Sequence, residues 1–183
     1  MRIAINTLFF LLLSVSATAQ ADNFKAFEWD VIRFGYASPG LEAYSGGIAL
    51  STEPRFNLKD QISVGLRVEL ALFGAADDVA GLDIGASGSY TLMGDYYFSD
   101  TNTSRAFAGL GLGYFAGADV TVEDGSGNPV GEAEAGGTIG LAPRVGYELG
   151  HLRLSAEYNL AFKESVPNYF GLHLGITIGG GAK

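Results

Sequence analysis

The sequence predicts an all-β protein, an eight-stranded antiparallel up-and-down transmembrane β-barrel with an apolar outside and a charged inside. Three observations carry that expectation. Gln61 to Leu72 reads QISVGLRVELAL, which puts Ile62, Val64, Leu66, Val68, Leu70 and Leu72 on one face of a strand. Gln61, Ser63, Gly65, Arg67, Glu69 and Ala71 take the other face, and a similar stripe recurs along the chain with Arg and Glu among its polar members. The 183 residues include 27 glycines, nine tyrosines and twelve phenylalanines. No segment after the first twenty residues has the roughly 18 apolar residues in a row that a membrane helix needs. Charge opposite apolar surface in short alternating runs fits a barrel turned inside out.

Residues 1–19 read as a signal peptide. Arg2 is followed by a mostly apolar run from Ile3 to Val15, and Ala17-Thr18-Ala19 forms a small-x-small cleavage site. Residues 20–183 are then the barrel domain. The absence of cysteine excludes disulfides, thiolate metal sites and cysteine nucleophiles. With 11 basic against 20 acidic residues and no basic tract, nucleic acid is not an expected partner.

Eight strands are expected in order. The first, Trp29 to Ala37, points Ile32, Phe34 and Tyr36 outward and Arg33 inward. In the second, Gly47 to Asn57, Ile48, Leu50 and Phe56 face out and Ser51, Glu53 and Arg55 face in. A Lys59-Asp60 turn leads to the third, Gln61 to Leu72. An acidic loop with Asp77, Asp78 and Asp83 precedes the fourth, Ser87 to Ser99, in which Tyr90, Leu92, Tyr96 and Phe98 oppose Ser89, Thr91, Asp95 and Tyr97. The fifth runs from Arg105 to Phe115. The longest loop follows, carrying Asp119, Glu123, Asp124, Glu132 and Glu134, with Val120-Thr121-Val122 extending its flanking strands as a hairpin. The sixth, Thr138 to Leu149, the seventh, Leu152 to Phe162, and the eighth, Asn168 to Ile178, complete the set. Pro54 and Pro143 fall inside strands, where each removes a ladder hydrogen bond, so a bulge or kink is expected at each.

A two-residue Gly150-His151 loop of type II′ would set Glu148 opposite Arg153 and Arg144 opposite Glu157, all inward. It would also set Leu149 opposite Leu152 and Tyr147 opposite Leu154, all outward. A slip of one residue would spoil both faces. The expected lumen network is Arg33, Glu53, Arg55, Arg67, Glu69, Asp95, Arg105, Arg144, Glu148, Arg153, Glu157 and His173. Glu53 and Arg67 are at comparable depth on neighbouring strands, as are Asp95 and Arg105, and His173 is within reach of Glu157. An eight-stranded barrel is just wide enough for side chains, so these groups should plug it. The glycines 109, 111, 113, 140, 171 and 175 should leave room for water, and Gly111→Ser should cost little. Trp29, Tyr96, Phe98, Tyr114, Tyr147, Tyr158, Phe162 and Phe170 gather near strand ends, as an interfacial aromatic girdle would.

Chemistry is sparse. His151 and His173 are the two histidines. Ser155, His173 and Glu157 are the one conceivable hydrolase set. The acidic loop segment Glu123 to Asn128 lacks the order of an EF-hand, and Gly111-Leu112-Gly113 is followed by no helix. No enzyme activity, cofactor or metal is expected.

With these segments in hand, the chain resembles the small outer-membrane β-barrels of the OmpA/OmpX-like superfamily. SYTLMGDYYFSD and RAFAGLGLGYFAG are similar to the hairpin style of that group. The resemblance implies an outer-membrane β-barrel domain with a structural, envelope-integrity or surface-binding role. It also implies contact with outer-membrane lipid and lipopolysaccharide, and folding by the barrel-assembly machinery. Short turns and both termini would be periplasmic and the long acidic loops extracellular. The lipid A deacylase barrels, similar in size, carry a His-x-Ser pair that neither His151 nor His173 provides. Many such barrels end in an aromatic residue, whereas this chain ends ITIGGGAK. A small passive channel for ions or hydrophobic compounds is the first rival reading. A soluble lipocalin-like carrier, with every face reversed, is the second.

Overall fold

The computed structural model describes residues 24–40, 44–75, 82–98, 104–122 and 136–179. The expected signal peptide lies outside the described residues, as do the acidic loop residues Asp77, Asp78, Glu123, Asp124, Glu132 and Glu134. Eight strands form one closed antiparallel barrel in chain order: β1 Phe27–Pro39, β2 Tyr44–Lys59, β3 Ile62–Ala75, β4 Leu82–Tyr97, β5 Ser104–Val122, β6 Gly136–Leu149, β7 Leu152–Ala161 and β8 Tyr169–Gly179. β8 closes on β1, so every backbone ladder has a partner and no edge is left for lipid to meet.

Alternation sorts the side chains as the sequence requires. Leu66, Leu92, Leu112, Leu154 and Leu174 are exposed on the outer surface, whereas Arg33, Arg67 and Arg153 are 0% exposed inside. That polarity overturns the lipocalin-like reading, which needs an apolar interior and a polar exterior. The Gly150-His151 hairpin has the expected register: Glu148 faces Arg153, Arg144 faces Glu157, Tyr147 faces Leu154 and Leu149 faces Leu152. Gly150 has φ +58°, and no non-glycine residue among those described has positive φ, which suits a type II′ turn.

Several boundaries move. β2 runs on to Lys59, so its turn is Asp60-Gln61 rather than Lys59-Asp60. β5 is 19 residues long, about twice what a tilted strand needs to cross a bilayer. Its extension through Val122 pairs with β4, down to Leu82 opposite Val122. The long-loop hairpin expected between β5 and β6 involves residues 123–135, which lie outside the described residues.

The prolines do not shift register. β2–β3 pairing steps from Thr52 opposite Val68 to Arg55 opposite Gly65, skipping Pro54 in unchanged register. Pro143 stands opposite Leu110, and β6–β7 pairing skips it in the same way. The register shifts lie elsewhere, at Ser45–Gly47 and Asn57–Lys59 of β2 and on β1, where Asp30 pairs with Glu53 and Arg33 with Ser51, three steps against two. Val31 and Ile32 take up the extra residue, and Asp30 and Arg33 both point inward.

Candidate functional site

The interior is the site. All twelve residues of the expected lumen network are buried there, and the bulge adds two that parity alone misses, Glu28 and Asp30. If β1 alternated without interruption, an inward Arg33 would send Asp30 and Glu28 to the lipid face. The signal for them was present as two carboxylates in a segment that otherwise had to face lipid. The result, among the described residues, is seven buried carboxylates (Glu28, Asp30, Glu53, Glu69, Asp95, Glu148 and Glu157) around six buried guanidiniums.

The network has three levels. Near the short turns, Glu28 accepts hydrogen bonds from Arg55 Nε at 2.9 Å, Arg105 Nη2 at 2.8 Å and Asn57 Nδ2 at 2.8 Å. Glu148 accepts from Arg105, Arg153 and the Tyr97 hydroxyl, the last at 3.0 Å. The Arg105 guanidinium lies between the rings of Phe24 and Tyr97, at 4.4 and 4.1 Å. At the middle level Arg144 is held by Glu53 and Asp95, and Arg153 Nη2 donates to Asp95 at 2.6 Å. At the third level Glu157 accepts from Arg33, Arg67 and the Ser155 hydroxyl. Arg67 Nη2 also donates to Asn159 Oδ1 at 2.6 Å.

Neighbour pairing misleads here. Arg67 is bonded to Glu157 and Asn159 rather than to Glu53, and Arg105 to Glu28 and Glu148 rather than to Asp95. Arg144 faces Glu157 in register yet stays 3.9 Å from it. His173 Nδ1 lies 3.9 Å from Glu157, with Glu69 nearer at 3.2 Å from Nε2. Glu69, Glu157 and His173 offer donor atoms within 4.8 Å of one another, but Arg33 and Arg67 each hold one Glu157 oxygen. The Ser155 hydroxyl donates to Glu157 at 2.8 Å and accepts from Arg33 at 2.7 Å. Its proton is thus directed to a carboxylate and not to the imidazole a hydrolase would use as base.

The lumen glycines make room for neighbouring side chains rather than water. A Cβ on Gly109 would sit 2.0 Å from Asp95 Oδ1, on Gly111 2.4 Å from Met93 Sδ, and on Gly175 2.7 Å from Arg33 Cγ. A Cβ on Gly171 would meet the His173 ring, whereas one on Gly113 or Gly140 would first meet a neighbouring strand's carbonyl, Tyr90 O at 2.2 Å or Leu160 O at 2.3 Å, and then Thr91 or Phe115. Gly111→Ser is therefore not a mild change. Above the charges, Phe73 packs edge-on to Tyr169 at 5.3 Å, and Phe115, Met93 and Val166 form a second apolar cluster. Val166 comes from the β7–β8 connection and is 1% exposed. Parity along β3, β4 and β5 was the available signal for Phe73, Met93 and Phe115.

The eight aromatics expected to form a girdle are all exposed on the outside. Trp29, Tyr96, Phe98 and Tyr147 stand at the short-turn end, and Tyr114, Tyr158, Phe162 and Phe170 toward the other.

An apolar exterior, an ionic interior and a sheet without edges define a small transmembrane β-barrel of the eight-stranded class. No protein-family model and no curated protein matches the sequence. Solved structures do. The N-terminal β-barrel domain of Pseudomonas aeruginosa OprF is similar at TM-score 0.50 and 12% identity, over 85% of this chain and 99% of that one. Ail, the attachment invasion locus protein of Yersinia pestis, is similar at 0.51 and 14%, over 87% and 100%. Neisserial surface protein A is similar at 0.50 and 14%, over 85% and 96%. The expected OmpA/OmpX-like architecture is the fold these proteins share with this chain.

Proposed function

We propose that the protein is an exported, non-enzymatic outer-membrane barrel with a structural or surface-binding role, its lumen plugged by charged side chains. The observation that supports this most is the inverted polarity, with Leu92 62% and Leu112 59% exposed around guanidiniums that see no solvent. Ion pairs that cross the lumen at three levels occupy the space a pore would need. A signal peptide over residues 1–19 delivers the chain, and the barrel-assembly machinery inserts it. Short turns and termini are periplasmic, and the acidic loops reach the outer surface.

One of the Ail structures holds a heparin analogue, sucrose octasulfate. The loop segments of this chain carry Asp77, Asp78, Glu123, Asp124, Glu132 and Glu134 and suit a polyanion poorly. Divalent cations bridging those carboxylates to lipopolysaccharide phosphates fit the charge better. A second reading, a narrow passive channel, draws on Ser51, Ser87, Ser89 and Thr91, whose buried hydroxyls have no hydrogen-bond partner among the described residues. Buried hydroxyls of this kind are commonly met by water.

The deciding experiment is electrophoresis of membrane-extracted protein in SDS with and without boiling, followed by planar-bilayer recording. A boiling-dependent mobility shift with negligible conductance is expected. Stable unitary conductance would replace the plug with the channel, and recovery from the soluble periplasm would overturn both.

A further inference from the structure

Among the described residues the lumen is one positive charge short, with seven buried carboxylates against six guanidiniums. The deficit falls at Glu69. Its Oε1 accepts from the Tyr169 hydroxyl and from Asn159 Nδ2 at 3.3 Å, while Oε2 has no hydrogen bond among the described residues. Arg67 Nη1 stands 3.9 Å away and is bonded to Glu157. A half-compensated carboxylate in a closed interior is costly.

His173 is the basic group left to meet it. The ring is 1% exposed. Nε2 lies 3.2 Å from Glu69 Oε2 and Nδ1 3.9 Å from Glu157 Oε1, so each nitrogen has a carboxylate oxygen within 4 Å, though neither contact is aligned as a hydrogen bond. A neutral imidazole offers one N–H and one bare nitrogen, and only the imidazolium offers two N–H groups to two carboxylates. The ring also has a built slot. A Cβ on Gly35 would come within 2.4 Å of its Cδ2, and one on Gly171 within 2.5 Å of its Cε1.

We propose that the barrel interior contains a one-proton site, in which His173 held as imidazolium supplies the seventh positive charge and keeps the Glu69 end of the lumen closed. The closing effect rests on the plug reading above. The groups facing the ring are Glu69 and Arg67 from β3, Glu157 and Ser155 from β7, Arg33 from β1 and Tyr169 from β8 itself. Arg144 of β6 reaches Glu157 at 3.9 Å. A divalent metal ion is the poorer occupant, because it overshoots a deficit of one and must compete with Arg33 and Arg67 for Glu157. When His173 loses its proton, Glu69 is left beside the unpartnered hydroxyls of Ser51 and Ser89, which stand opposite it in register on β2 and β4. Water and a monovalent cation then enter.

The test is ¹⁵N NMR of ring-labelled histidine in the exported protein extracted into detergent, with His151→Asn assigning the second ring, joined to bilayer recording across pH. In the closed barrel both His173 nitrogens should read as protonated. Conductance should rise several-fold as pH is raised through the titration seen by NMR. His173→Gln should show the high-pH conductance at every pH, and Glu69→Gln should stay closed throughout. One bare nitrogen in the closed barrel overturns the proposal, and so does a barrel that stays closed while the ring loses its proton. A ring shift on adding zinc, reversed by chelator, overturns it in favour of a metal. A charged ring in a barrel that conducts at every pH supports the proton site and overturns the plug reading. The wild-type spectrum decides the charge even if a variant fails to fold.

Discussion

Arg144 and Glu53 clasp each other across the lumen, Nη1 and Nη2 each donating to a different Glu53 oxygen at 2.6 Å, from strands that share no ladder. The same guanidinium reaches Asp95 through Nε at 2.8 Å and Nη2 at 2.7 Å. One side chain on β6 thereby ties β2 to β4 through the centre of the barrel. Two forked, charge-assisted pairs on one guanidinium are among the stronger polar contacts a protein makes.

Removing Arg144 should therefore hurt more than its exchange for an apolar group of like volume would suggest. Arg144→Met leaves Glu53 and Asp95 buried beside fewer cations, at a cost of about 3–5 kcal/mol. Adding Glu53→Gln should return part of that loss. Urea unfolding of the refolded protein in lipid vesicles measures both, and strictly additive single and double variants would show that the clasp contributes nothing.

The two faces should respond differently to substitution. Leu66→Arg and Leu174→Arg put charge on the outer surface and should each cost about 2–4 kcal/mol if placed near mid-bilayer. Ser89→Ala removes an inward hydroxyl that has no hydrogen-bond partner among the described residues and should change stability by no more than about 0.5 kcal/mol. Equal losses at both faces, in the same unfolding assay, would contradict the assigned polarity.

Gly150 is the hinge of the β6–β7 register. An L side chain at φ +58° is strained, so Gly150→Ala should cost about 1–2 kcal/mol even though a Cβ there meets no atom within 4 Å. Wild-type stability in that variant would mean the turn relaxes without cost. Cross-strand NOEs between Glu148 and Arg153 report whether register survives.

Trp29 is the sole tryptophan and donates from Nε1 to Thr52 Oγ1 at 2.9 Å on the outer surface. Its fluorescence should be quenched more by lipids brominated near the headgroup than by lipids brominated near the acyl terminus, as an interfacial ring requires. The reverse order would remove it from the girdle.

Much of this was legible in the sequence, for identifiable reasons. The face of Leu66 or Arg67 follows from alternation alone, and the Gly150-His151 turn set Glu148 against Arg153 because a two-residue loop admits one register. Alternation alone misplaces Glu28 and Asp30, because a single bulged residue at Val31–Ile32 reverses parity for everything before it, and their one signal was two carboxylates in a stretch that otherwise faced lipid. The filling of the lumen glycines was not legible, since the atoms that occupy those spaces belong to side chains such as Met93 and Arg33 whose rotamers depend on the closed wall.

By itself the amino-acid sequence determined which side of the wall the strand residues beyond the β1 bulge take, because strand period two and short turns are local properties of the chain. Only the tertiary structure decided which charges meet. Closing the sheet brings β2 and β6 face to face, and long Arg and Glu side chains in a lumen about one side chain wide reach across it more readily than along their own wall.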